Sequence, residues 1–316
     1  MRVTFLPRAL RALVAGLLWL AGAACAQTVA IVLPEATGAA ADLAEALQAE
    51  LRKAPAVRHQ VVVASRAALE RREPLALPAD TQLVVAVGTQ GTRAALAGEA
   101  RADVLSVLVP RATFEGLAAS ARAVAGRRLS AVFVDQPLAR QAELIRQLFP
   151  SRPRVGLLVG PALAGEVEPI RAQVEGRGMA LATERVERES ELYAALQQLL
   201  PASDVLLAVP DPYIVNAGTA QNLLLTAFRW RVPVIGYSQS YVRAGALAAV
   251  YSTPAQVGAD AADLVRTAAR GQPLPAPRYP RLFSVALNEH VAQTLGLRLP
   301  AEAALLERLR RAERGE

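Results

Sequence analysis

The chain has 316 residues, 53% of them apolar and 20% charged, with a formal charge of +7. That length carries two α/β domains with full cores, and that composition excludes a disordered tail. Lys53 is the single lysine, and the arginines are interspersed with acids, as in ERVERESE at 184–191, so the clustered charge that a nucleic-acid partner requires is missing.

The segment 1–26 reads as a secretory signal peptide. Arg2, Arg8 and Arg11 precede a nearly all-apolar stretch from Ala12 to Leu20, and Ala24-Cys25-Ala26 offers a small-x-small cleavage site before Gln27. The stretch is too short for a stable transmembrane anchor. Cys25 is the only cysteine. Lipidation there is disfavoured, because Gly22 stands where such signals carry a bulky aliphatic residue. Cleavage after Ala26 leaves a periplasmic chain of charge +4 with no cysteine, hence no disulfide, thiol nucleophile or thiolate metal site.

Strand TVAIVLP (28–34) leads to a helix from Ala39 to Lys53, with Leu43, Leu47 and Leu51 along one face. VRHQVVVAS (57–65) is the next strand. QLVVAVG (82–88) turns into a helix ending near Gly98, and DVLSVLVP (103–110) precedes a short helix over 114–124. LSAVFVDQP (129–137) leaves the first lobe, and a helix from Leu138 to Phe149 stops at Pro150. RVGLLVG (154–160), a helix over 166–177, strand 180–186, a helix over 191–200, DVLLAVP (204–210), a helix over 216–230, VPVIGYS (232–238) and AAVYST (248–253) follow. The helix 254–270 opens with Thr253 as N-cap and Pro254 at N1. A Pro-rich joint at 271–280 leads to strand RLFSVAL (281–287), a helix from Asn288 and a charged, solvated helix over 301–316.

Three of these apolar runs, starting at 28, 82 and 103, recur in the same order at 154, 204 and 232, so the second set follows the first at a nearly constant spacing. Runs of Val, Leu and Ile with little polar alternation fit strands buried on both faces. The expected fold class is therefore α/β, with two doubly wound, Rossmann-like parallel-sheet lobes joined by a hinge. The expected division is 27–130 as lobe I, 138–250 as lobe II, 254–290 returning to lobe I, and 291–316 as a C-terminal tail.

Ligands of open parallel sheets bind at the C-terminal strand ends. That rule selects Glu35, Ser65, Gly88, Thr89 and Arg111 in lobe I, and Pro161, Asp211, Ser238 and Gln239 in lobe II. In VGTQGT (87–92), Gly88 permits a sharp turn and Thr89 a helix cap, a geometry suited to a carboxylate. Asp211 is placed to accept from a cation such as an amino group, or to shape the turn before Pro212. Tyr213 and Tyr241 fall in strand-end loops, where an aromatic face can cover a ligand. Catalytic signatures are absent: there is no G-x-S-x-G and no H-E-x-x-H, and the two histidines, His59 in a strand and His290 in a C-terminal helix, read as surface or packing residues. No enzyme activity, metal or cofactor is expected.

The segment from Asp204 to Val265 resembles the second-lobe core of the ABC-transporter substrate-binding protein family that includes tryptophan and tyrosine binders. QLVVAVGTQGTRAAL (82–96) is similar to a first-lobe loop of that family, and LSAVFVDQPLARQAELIRQLFPSRPRVGLLVGP (129–161) to its crossover. The resemblance implies a type I periplasmic-binding-protein fold, with three crossovers and lobes that close on a ligand. It implies that the turn matching Gly88-Thr89 receives a carboxylate, the loop matching Pro210 to Asn216 an amino group, and that Tyr237-Ser238-Gln239 closes the pocket. Where the family has Thr-Asp-Asn, this chain reads Pro-Asp-Pro-Tyr and keeps Asp211 alone. The resulting expectation is a periplasmic solute-binding protein delivering an amino acid or similar small organic solute to an ABC permease. The alternative is a periplasmic sensing module that signals to a membrane kinase or receptor.

Overall fold

The computed structural model describes residues 27–53, 57–64, 75–97, 101–121, 127–211, 214–216 and 218–315. The leader with Cys25, and the candidate residues Ser65 and Tyr213, lie outside them.

The first lobe alternates strand and helix: β1 (Gln27–Leu33), α1 (Gly38–Leu51), β2 (Val57–Val63), β3 (Thr81–Val87), α2 (Gly88–Ala97), β4 (Asp103–Val109), α3 (Arg111–Ala121) and β5 (Leu129–Phe133). All pairs in this sheet are parallel, in the order β2-β1-β3-β4-β5. β1 and β3 are buried along almost their whole length because helices cover both faces.

The second lobe repeats the arrangement. It comprises α4 (Leu138–Leu148), β6 (Arg154–Val159), α5 (Val167–Glu175), β7 (Ala180–Arg185), α6 (Leu192–Leu199), β8 (Val205–Leu207), α7 (Ala220–Arg229), β9 (Val234–Gly236), α8 (Gln239–Arg243) and β10 (Ala248–Tyr251). Its sheet runs β7-β6-β8-β9-β10-β11, so the first five strands follow the same order as lobe I. The sequence repeat is thus a topological repeat, β1, β3 and β4 answering to β6, β8 and β9.

After β10 the chain crosses back. α9 (Pro254–Ala269) packs against α1, with Val257, Ala261 and Val265 joining Leu43 and Leu47 in one core. It starts in a capping box: Thr253 Oγ1 accepts the Gln256 N–H at 3.1 Å, and Gln256 Oε1 accepts the Thr253 N–H at 2.9 Å. The following segment extends the lobe I sheet, the Arg278 N–H donating to Ala131 O at 2.9 Å and the Phe133 N–H to Arg278 O at 3.0 Å.

Two expectations are corrected at this end of the chain. Residues 284–290 do not return to lobe I. β11 (Ser284–Leu287) pairs antiparallel with β10 and closes the edge of the second sheet, followed by α10 (Glu289–Leu295). A short apolar run says that it is a strand, not which of two sheets it joins. The tail is not merely solvated either. α11 (Glu302–Arg314) buries Leu305 and Leu309 in the lobe II core. One i, i+4 pair is enough to dock a helix whose other faces are charged.

Three crossovers connect the lobes, at 134–137, 252–253 and 280–283, and one side-chain network ties them together. Gln136 Nε2 donates to Ser252 Oγ at 3.0 Å, and Ser252 Oγ donates to Leu282 O at 2.6 Å. Arg140, buried in α4, donates to Gln136, to Pro280 O at 3.3 Å and to Glu313 of α11 at 2.6 Å. Its guanidinium also lies 3.9 Å from the Phe283 ring centre.

Candidate functional site

In a sheet of order 2-1-3-4-5 the ligand crevice opens where the strand order reverses. In lobe I that point lies between β1 and β3, and in lobe II between β6 and β8. The loops that meet there begin at Pro34-Glu35 and Gly88-Thr89 on one side, and at Gly160 and Asp211 on the other.

On the lobe I side β3 runs directly into α2 at Gly88, whose φ of +69° lies in the left-handed region that glycine adopts without penalty. Thr89 is therefore in the first helical turn and not at the cap, a correction to the sequence reading. Its hydroxyl makes no hydrogen bond among the described residues. The buried Thr92 fixes the turn from behind, Oγ1 donating to Gly88 O at 2.9 Å. Gly91 brings the helix close to β1, since a Cβ there would sit 3.1 Å from Val32 O. The N–H groups of this first turn have no intrahelical acceptor and point out of the sheet edge. Glu35 is exposed beside them and carries no ion pair among the described residues.

On the lobe II side Asp211 is 1% exposed. Its Oδ1 accepts the Ile214 N–H at 3.3 Å, and backbone bonds between Asp211 and Val215, at 3.0 and 3.2 Å, close the loop into a narrow bridge. The carboxylate lies against Gly160, where a Cβ would come within 2.5 Å of Oδ2. The sequence placed Asp211 at the crevice; the structure adds that the carboxylate is turned into its own loop.

The third strand-end loop presents two stacked tyrosines. Ser238 caps α8, its hydroxyl accepting the Tyr241 N–H at 3.1 Å, while Gln239 is exposed. Tyr241 is buried, and its ring lies 4.8 Å from that of the half-buried Tyr237 at 37°. Gly236 makes the room, for a Cβ there would meet the Tyr241 ring at 2.7 Å. Burial raises the phenol pKa of both tyrosines. Tyr237, not Tyr241, is the ring with an accessible face. The Tyr241 hydroxyl is buried with no hydrogen-bond partner among the described residues. Tyr241→Phe is therefore expected to raise stability by about 1 kcal/mol, because an unsatisfied buried hydroxyl is removed without a cavity. Denaturant unfolding of the variant checks this; a loss of stability would mean that the hydroxyl is satisfied in solution.

A contact across the crevice was not visible in the sequence. Arg111, at the start of α3 in lobe I, forms an ion pair with Glu166, which precedes α5 in lobe II. A β-bulge at Leu108, φ +52°, bends the end of β4 toward the first crossover. There the Arg111 N–H donates to Asp135 at 2.6 Å. Burial pushes the Asp135 carboxyl above the usual carboxylate range, with that N–H pulling the other way. The strand-end rule had selected Arg111, but Glu166 lies far along the chain in the other lobe and nothing local links the two.

These features describe two lobes of one topology that face each other across a crevice and are joined by three crossovers. The chain also matches, over residues 80–306, the family model described as ABC transporter substrate binding protein. It belongs to that family. No curated protein matches it. Among solved structures, this ABC substrate-binding protein is similar to CD0873, a substrate binding protein with adhesive properties from Clostridium difficile in a ligand-free, open structure. That match has 16% identity and a TM-score of 0.68, over 87% of this chain and 96% of that one. A conserved domain protein from Vibrio cholerae matches at 19% identity and TM-score 0.60, over 90% and 98%. An ABC domain from Streptococcus pneumonia in complex with L-Trp matches at 17% and 0.58, over 89% and 98%. At these identities the likeness establishes the fold, that of type I periplasmic binding proteins.

Substrate-binding proteins of this family bind small molecules and are not enzymes in general. In this one, no group of three or more potential metal ligands exists among the described residues, and no helix among them is long and apolar enough to cross a membrane. A cavity of about 400 Å³ opens elsewhere, between α4 and α11, lined by Arg146, Gln147, Pro150, Arg308, Arg311 and Ala312. Both helices end there, so their carbonyl dipoles offset the arginines, and the cavity lies outside the crevice.

Proposed function

We propose that this protein is the solute receptor of an ABC importer, exported through its leader and working in the periplasm beside its permease. The observation that carries the proposal is the pairing of two switch points of identical strand order across one crevice. In this reading the solute first settles on one lobe and then gains contacts from the other. Its higher affinity for the closed form drives the hinge. The first-turn N–H groups and Thr89 hydroxyl receive an acidic end such as a carboxylate. Asp211 receives a cationic end once its loop opens, and Tyr237, with Tyr241 behind it, covers the apolar middle. Glu35, Ser238 and Gln239 line the rim in the same scheme, and Ser65 and Tyr213 stay candidates from the sequence alone. An amino acid or a similar zwitterion fits this distribution of charge.

Thermal unfolding with a panel of amino acids, short peptides, nucleosides and organic acids tests the reading. A ligand at a thousand times its dissociation constant adds about 4 kcal/mol, enough to move the melting temperature by several degrees. An amino acid should give that shift, and Asp211→Asn should reduce its affinity by at least about tenfold through the lost charge-assisted contact. A shift that survives intact in a Thr89→Ala, Asp211→Asn double variant would remove the site assignment. Absence of any shift would turn the reading toward a sensor that signals to a membrane kinase.

A further inference from the structure

Between Asp211 and Asp260 the chain has no carboxylate side chain, while Arg229, Arg231 and Arg243 fall inside that stretch. α7 lies within it. The helix runs back antiparallel to the strands, so its last turn sits at the N-terminal edge of the second sheet, the end of lobe II remote from the crevice. There Leu225, Phe228 and Trp230 stand 48%, 41% and 42% exposed. Arg229 and Arg231 are exposed between and beside them. Neither arginine has an acidic partner among the described residues, Arg231 reaching only Leu295 O at 3.4 Å. The carboxylate that precedes β8 at this edge, Asp204, is already held by Arg154 at 3.2 Å.

An aliphatic and aromatic knob with unpaired guanidinium groups at its rim is not a surface that water favours. A second copy of the chain does not suit it, because a two-fold contact would set Arg229 and Arg231 against their own images. The chemistry that suits it is apolar a few ångströms deep and anionic above. Tryptophan and phenylalanine seat at the level of lipid headgroups, and arginine pairs with phosphate.

We infer that the α7 end of lobe II docks on an anionic phospholipid surface. Leu225, Phe228 and Trp230 enter the headgroup layer, and Arg229 and Arg231 pair with lipid phosphates. The crevice lies at the opposite end of the lobe, so a docked molecule keeps it open to solute. Docking does not depend on which solute binds, and vesicle binding and solute binding fail or succeed separately.

The test uses the chain from Gln27, where β1 begins and from which both sheets are built. In it Trp230 is the sole tryptophan, Trp19 being in the leader. Vesicles of phosphatidylglycerol and phosphatidylethanolamine should sediment the protein and shift Trp230 emission to the blue. Phosphatidylcholine vesicles, whose headgroups are zwitterionic with no net charge, and free glycerol phosphate should do neither. High salt should weaken the association, since exposed charges are screened. Two double variants, L225S with F228S and R229Q with R231Q, change only exposed side chains and should melt like the parent. Each should lower partitioning by at least about tenfold. No sedimentation with the anionic vesicles, equal binding to the phosphatidylcholine ones, or variants that partition like the parent would each overturn the inference. So would an emission shift produced by an acidic peptide and not by the vesicles.

Discussion

Asp260→Ala should lower the unfolding free energy by about 3–5 kcal/mol, the cost of breaking a buried ion pair from one side. Asp260 is fully buried on α9. Its carboxylate accepts from the Arg278 guanidinium at 2.6 Å, from Arg281 Nε at 2.8 Å and from the Arg281 N–H at 2.9 Å. That one side chain therefore fastens the third crossover to the helix that returns to lobe I. Alanine leaves three donors without their acceptor, and Arg278 is too enclosed to be rehydrated freely. Asp263 holds only the outer end of Arg281 and cannot replace it, being half exposed. Urea denaturation of the two proteins measures the difference. A change below about 1 kcal/mol would mean that both arginines find water, and that the crossover is held by its backbone bonds to β5 instead.

Gly258→Leu should cost about 3 kcal/mol, and Gly258→Ala about 1 kcal/mol, although glycine is a poor helix residue and its replacement usually stabilises. The reason is the closeness of α9 to α1. A Cβ at 258 would lie 2.8 Å from Leu43 O, 3.1 Å from Leu47 N and 3.2 Å from the Ala46 Cβ. The first two are backbone atoms of another helix, so relief requires the helices to separate and Leu43 and Leu47 to lose their packing. Gly116 in α3 supplies the control, because a Cβ there meets nothing within 4 Å. Gly116→Ala should raise stability by up to about 1 kcal/mol. Opposite signs for the two Gly→Ala changes, read from denaturant midpoints at a common slope, check the packing argument independently of helix propensity. Equal signs would sink it.

The inner strands of the two lobes were legible because they are buried on both faces, which leaves runs of Val, Leu and Ile that little else produces. The repeat of three such runs gave the lobes their correspondence. What the runs did not carry was partnership. The segment at 284–287 reads as a strand, but the antiparallel edge of lobe II and the edge of lobe I accept such a run equally well. The sequence of α11 points to solvent because its charges outnumber Leu305 and Leu309. Around the crevice, the strand-end rule selected Gly88, Asp211 and Arg111 without side-chain detail. It did not find that α2 begins at Gly88, which moves Thr89 from cap to first turn, nor that Tyr241 is turned inward against Gly236. The Arg111–Glu166 pair and the Arg140–Glu313 pair join segments that are distant in sequence, and no local pattern marks such partners.

Both lobes are assembled from pieces that the ribosome makes at different times. The core around α1 is incomplete until α9 has been synthesised, and the core around α4 until β11 and α11 have been. Bringing such distant pieces together adds little to the final free energy, since loop closure grows only with the logarithm of length. Its consequence lies in timing. Neither core is complete before α9 has emerged, so both lobes wait on the last third of the chain.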